Sequence, residues 1–232
     1  MKTLCRVLGV LLCAGATARA ADIDALVKQL KDKDSDARRK AVKELGEAGK
    51  DAQPAAPALV QALKDSDLFV RRFAAQALGD IEADPKVAAK PLADVLKNPK
   101  EKKEVQAAAA GALGKMGAAG VAPLAAAVKD DATDNEVRRR AVEALGKIGP
   151  DAKAAIPALV SVLKAAPGGK KNPDKDADCR VDAATALGHI AAATDKDALD
   201  ALRDLGAAKD LKKNKTLGDA IKKAVQEIEA RK

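Results

Sequence analysis

PALVQALKDSDLFVRRFAAQALGDI, residues Pro57–Ile81, decides the fold. Leu59 and Leu63, then Val70, Ala74, Ala77, Leu78 and Ile81, make two apolar stripes at helical spacing. Between them Lys64-Asp65-Ser66-Asp67 supplies turn and N-cap chemistry. Two helices this short cannot bury both stripes alone, whereas copies stacked side by side can, so the pattern predicts a solenoid.

The copies are present. Leu-Gly recurs at Leu45-Gly46, Leu78-Gly79, Leu113-Gly114, Leu145-Gly146 and Leu187-Gly188, in steps of 33, 35, 32 and 42 residues. Eight residues before each Leu stands Ala37, Val70, Val105, Val137 or Cys179, and four before it Ala41, Ala74, Ala109, Ala141 or Ala183. That is one helical face repeated five times, and the small Ala is expected where helices approach most closely. Pro57, Pro91, Pro123 and Pro157 are expected near the starts of first helices, where proline loses no hydrogen bond. Gly49, Gly117 and Gly149 are expected near the stops of second helices. The repeats fall at about 22–49, 57–83, 90–117, 122–149, 156–191 and a degenerate 197–232, with an insertion, Ala165–Asp178, expected to form a loop.

Composition agrees. The 232 residues contain two Phe and no Trp or Tyr, so Ala, Leu and Val must do the packing, and no stretch alternates with the period of a strand. The expected fold class is all-α, a right-handed superhelix of about six helix pairs. Met1–Ala20 has the form of a secretory signal: Lys2 and Arg6, the apolar run VLGVLLCAGA, then Ala18-Arg19-Ala20 ahead of Ala21. The run is shorter than the roughly 20 apolar residues of a membrane span, and bulky Leu12 disfavours lipid attachment at Cys13. Cleavage would remove Lys2, Arg6 and Arg19 from a net charge of +8, leaving +5, and would leave Cys179 as the remaining thiol. The expected location is the periplasm or the exterior, without an internal disulfide.

Pro-x-Leu-x-x-x-Leu, an acidic turn and Val-Arg-x-x-Ala-x-x-x-Leu-Gly together resemble the HEAT and HEAT-like repeats, including the shorter type of the phycobilisome lyases. The resemblance covers residues 22–232, while the Trp and Tyr of a tetratricopeptide array and the Thr-Pro-Leu-His of ankyrin are absent. It implies second helices lining a concave side and a recognition role of some kind. It also implies a ladder of Asp and Arg joining successive repeats. Here the matching residues are Asp32 and Arg38, Asp65 and Arg71, Asp131 and Arg138, and Asp174 and Arg180. Repeat three has Gln106 at the Arg position, so the ladder is expected to break there and the chain to flex.

The next position gives a second basic row, Arg39, Arg72, Arg139 and Lys222, pointing away from the apolar face toward water or an acidic partner. Nucleic acid is disfavoured, because export removes it and no aromatic row exists for stacking. At the positions of Phe69 and Phe73 other repeats carry Asp36 with Lys40, Glu136 with Arg140 and Asp219 with Lys223, acid-to-base pairs at i and i+4. Two aromatics at a polar position have the character of a binding hot spot, or else pack under a neighbouring turn.

Enzyme chemistry lacks parts. The one His, His189, follows Gly188 where other repeats carry Glu47, Asp80, Lys115 and Lys147, so it reads as a surface residue, and Cys179 reads as a small core residue. Asp174, Asp176 and Asp178 lack the glycine and distal glutamate of a calcium loop. No cofactor or metal is expected. The reading is an exported, non-enzymatic scaffold binding an unidentified protein through Arg39, Arg72, Arg139, Phe69 and Phe73. The alternatives are a noncatalytic or chromophore-handling subunit of the lyase type and a structural spacer.

Overall fold

The computed structural model describes residues 22–165, 179–208 and 214–231. The signal-like segment 1–20 and the three insertion aspartates Asp174, Asp176 and Asp178 lie outside them. Every regular element among the described residues is helical. The chain divides into two compact units, Met1–Ala88 and Ala89–Lys232.

In the first unit, helix α1 is described over residues 22–29 and α2 spans Ser35–Glu47. A 3-10 segment, Gly49–Ala55, leads into α3, Ala56–Ala62, and a short turn leads to α4, Leu68–Asp80. The second helices α2 and α4 pack on each other, with α3 against α4. Leu59, Leu63, Val70, Ala74, Ala77, Leu78 and Ile81 are all buried, as their spacing requires.

Helix α5, Pro85–Lys97, runs across the boundary, and the second unit continues with α6, Lys103–Lys115; α7, Ala118–Lys129; and α8, Asn135–Ile148. A second 3-10 segment, Gly149–Ala155, precedes α9, Ile156–Leu163. Then come α10, Cys179–Ile190; α11, Lys196–Ala207; and α12, Lys215–Ala230. Here α6, α8, α10 and α12 form one layer and α7, α9 and α11 a second, each first helix lying against its own second helix.

Gly49, Gly117 and Gly149 take φ of +59°, +58° and +73° at the ends of second helices, a region that costs glycine little. The course of the chain beyond each glycine depends on the distance to the next proline in register. With eight residues from glycine to Pro57 or Pro157, the chain makes a 3-10 segment and the proline sits in the first turn of α3 or α9. Pro123 comes six residues after Gly117, α7 starts at once, and the proline falls inside it. Pro91 likewise lies inside α5, so the expectation that all four prolines open their helices is corrected for these two.

The Leu-Gly glycines sit inside the helices. A Cβ on Gly46 would stand 3.3 Å from the Cβ of Ala77, one on Gly114 2.8 Å from that of Ala144, and one on Gly146 3.2 Å from that of Ala186. Close approaches between second helices therefore run through Gly and the Ala just before the next Leu. Ala41, Ala74, Ala109, Ala141 and Ala183, expected at that seam, are completely buried beside it.

Candidate recognition surface on the second helices

The turn preceding each of the first four second helices is built on an Asx residue. Its side chain accepts the N–H two residues on: Asp32 from Asp34 at 2.9 Å, Asp65 from Asp67 at 2.8 Å, Asn98 from Lys100 at 3.0 Å and Asp130 from Ala132 at 2.9 Å. Its carbonyl is then gripped by a side chain from the second helix. Arg38 Nη1 donates to Asp32 O at 2.9 Å, Arg71 Nη1 to Asp65 O at 2.8 Å, Gln106 Nε2 to Asn98 O at 2.8 Å and Arg138 Nη2 to Asp130 O at 2.9 Å. Arg138 is completely buried in this role. The ladder expected from register is corrected in two places. The fourth turn is two residues longer than the first two, so Asp130 and not Asp131 makes these turn contacts. Repeat three keeps the motif in neutral form, as Asn98 and Gln106.

Arg38 also reaches the next repeat. Its Nε and Nη2 donate to the two oxygens of Asp65 at 2.7 and 2.8 Å, a bidentate pair whose side chains are each 12% exposed. Burial pushes the Asp65 carboxyl up, but the Arg38 hydrogen bond and the Asp67 N–H outweigh it and hold the group below its ordinary value. Arg180, at the start of α10, is half-buried.

The adjacent row is tied down as well. Arg39 donates through Nε to Asp67 Oδ1 at 2.8 Å and through Nη2 to Oδ2, and Nη1 meets Asp36 at 2.9 Å. Asp67 is simultaneously the N-cap of α4, accepting from Phe69 N at 2.9 Å and Val70 N at 3.0 Å. The Arg39 hydrogen bond, with those two N–H groups, holds the Asp67 carboxyl well below the usual carboxylate range. Arg139 donates to Asp182 Oδ2 at 3.0 Å, across from α8 to α10, and that bond raises its pKa. Arg72 differs: its guanidinium lies 5.6 Å from the centroid of the Phe73 ring, and no carboxylate among the described residues holds it. Lys222 is exposed on α12.

Phe69 and Phe73 sit one turn apart on α4, ring centroids 6.4 Å apart and tilted by 32°. Phe69 is 44% exposed and Phe73 half-buried. Among the described residues only Phe69 and Val87 are large apolar side chains left exposed. Arg39 stands 4.9 Å from the Phe69 centroid, so the ring is partly covered by the preceding second helix and the rest of the side chain meets solvent. The polar residues at this position in other repeats do not form the expected i,i+4 pairs. Asp36 meets Arg39 of its own helix, whereas Glu136 reaches back to Lys103 of α6 at 3.4 Å as Phe69 reaches Arg39 of α2, so in α4 and α8 the position faces the preceding second helix.

His189 is exposed, with Nε2 4.0 Å from Glu227 Oε2. Cys179 is completely buried and its thiol donates to Asn135 Oδ1 at 3.1 Å. Among the described residues no three His, Cys, Asp or Glu side chains gather as metal ligands, and no helix is long and apolar enough to cross a membrane. The sequence pattern did not reveal Asp67, Asp182 or Asn98 as partners. The recurring Asp-x-Asp ahead of the first two second helices is the signal that could have shown Asp67.

Comparison with known proteins agrees with this architecture. An engineered protein of known structure is 24% identical, with a TM-score of 0.59 over 90% of this chain and 97% of its own. A designed armadillo repeat protein, solved in complex with the peptide (KR)4, is 20% identical with a TM-score of 0.57 over 87% and 98%. The complex of CpcE and CpcF of phycocyanin lyase from Nostoc sp. PCC7120 gives 21% identity and a TM-score of 0.47 over 89% and 85%. A search of curated protein sequences gives no match. The family model for HEAT repeats matches residues 23–102 and 89–170, more than half of the chain, and this protein therefore belongs to the HEAT repeat family.

Proposed function

We propose that this chain is an exported, non-enzymatic HEAT-repeat scaffold that holds a protein partner in the cell envelope. The contact centre is the edge of α4 that carries Phe69, Phe73 and Arg72. The observation that carries this reading is the exposure of Phe69, 44% accessible beside a second aromatic ring. An aromatic pair flanked by arginine is the composition of a binding hot spot. Arg72 adds a guanidinium already oriented on Phe73 and not neutralised, which favours an acidic residue on the partner. Arg39 is committed to Asp67 beside this edge, and Arg139 to Asp182 within the second unit, so in this reading Arg72 provides the charge of the α4 surface. Export rests on the signal-like form of Met1–Ala20.

The test is affinity capture from an envelope extract on immobilised Ala21–Lys232, beside the variant Phe69→Glu/Phe73→Lys, whose circular dichroism checks the fold. A partner held by the wild-type chain, lost by the variant and weakened by Arg72→Glu is the expected result. Equal capture by all three chains rejects the α4 surface, and capture of nothing rejects the scaffold role.

A further inference from the structure

Within the second unit a cleft of about 500 Å³ opens between the turn of repeat three and that of repeat four. Its meaning comes from the first unit, where the corresponding place between successive turns is filled by a side chain. There Arg38 holds the carbonyls of Asp32 and Lys33 at 2.9 and 3.2 Å on one side and the Asp65 carboxylate on the other. In the second unit Gln106 occupies the register position of Arg38, and Asp130 makes the turn contacts of Asp65. Gln106 grips its own turn, donating to Leu96 O at 3.2 Å and Asn98 O at 2.8 Å. Glutamine is too short to continue across. The Asp130 carboxylate accepts the N–H of Ala132 and meets no basic group among the described residues. Both residues line the cleft.

We propose that this cleft is a vacant rung of the ladder and accepts an arginine side chain from an extended segment of another polypeptide. The guanidinium sits on Asp130, where its planar donors match a carboxylate in the same way that Arg38 matches Asp65. Leu96, Ala126 and Ala127 give the methylene stem an apolar wall. Two lysines line the cleft with it, and Lys103 is neutralised by Glu136 at 3.4 Å. Asp130 and Asp134 then outnumber Lys97, so the local charge favours a cation although the whole chain is basic. The volume exceeds one side chain, which leaves room for the backbone that carries it. The site is independent of the α4 surface.

The intact protein is titrated with the blocked tripeptide Ala-Arg-Ala, its Lys and Ala counterparts, and guanidinium chloride, while the amide resonances of Gln106, Ala127 and Ala132 are followed. Saturable shifts at these residues with the arginine peptide, and weaker ones with lysine, are expected. Asp130→Asn keeps the oxygen that caps the turn but removes the charge, and affinity is expected to fall about tenfold. Gln106→Arg supplies the missing rung internally, so it should abolish peptide binding and raise the melting temperature. Phe69→Glu should change nothing, which separates this site from the recognition surface on α4. Unchanged affinity in Asp130→Asn, no shifts at these residues, or guanidinium ion binding as tightly as the peptide each overturns the proposal.

Discussion

Arg38 and Arg39 are neighbours in sequence, yet each closes a different contact with the next repeat, one on the turn residue Asp65 and one on the N-cap Asp67. The Arg38 rung is the drier of the two, both side chains being 12% exposed. Asp65→Ala removes the carboxylate that orders both Arg38 and the Asp67 N–H, and should cost about 1–2 kcal/mol in urea unfolding. The glycines make a second residue-scale prediction. Gly114→Ala puts a Cβ 2.8 Å from that of Ala144 and should cost about 1–3 kcal/mol through overpacking. Gly111→Ala, three residues earlier on the same helix, meets nothing within 4 Å and should stabilise by about 0.5–1 kcal/mol. Chemical denaturation of the pair distinguishes close packing from simple helix propensity. Register in the sequence identified the arginines because an offset along one helix is fixed by its pitch. It could not name Asp67 or Asp182 as partners, since reach across a stack depends on how adjacent helices slide, a quantity no single repeat contains.

At the scale of elements, the second helices were legible because their apolar spacing, N-caps and terminal glycines all agree. Asp34, Asp67 and Asp134 cap α2, α4 and α8 through their side chains, whereas Lys102 stands before α6 and caps nothing. Lys102→Asp should therefore stabilise by about 0.5–1 kcal/mol, with slower amide exchange in the first turn of α6 as its local signature. The first helices were less legible. Proline as a start signal fits α3 and α9 but not α5 and α7, where helix begins ahead of it. The missing N–H costs one bond, and at α7 the six residues from Gly117 to Pro123 are too few for a separate 3-10 segment, so helix starts ahead of the proline. Phe69 was visible as an anomaly against the polar residues of other repeats. That it leans on Arg39 was not, because Phe and Glu at one position reach the preceding helix by different chemistry.

For the whole molecule, repeat three is where the pattern weakens. Asn98 and Gln106 replace the charged pair, the N-cap is absent, and the division into two units falls at Ala88 and Ala89 within α5. Amide exchange should be faster through α5 and α6 than through α2, α4, α8 and α10; uniform protection would argue against a joint there. Acid response should reflect the rungs. Asp65 and Asp67 ionise below their unfolded values, so their contribution is complete above about pH 4 and is lost as pH falls through the folded values. Asp65→Asn/Asp67→Asn should lower the melting temperature at neutral pH and flatten its decline in acid, as thermal denaturation at stepped pH would record. Cys179 gives the array a clock of its own. Its thiol is sealed at the start of α10 against Asn135 of α8, so a thiol reagent in solution can reach it only when that pair parts. Residues 21–232 contain no other cysteine to compete. The labelling rate then counts openings of one interface while the rest of the array stays shut, and its dependence on reagent concentration separates how often the interface parts from how long it stays parted.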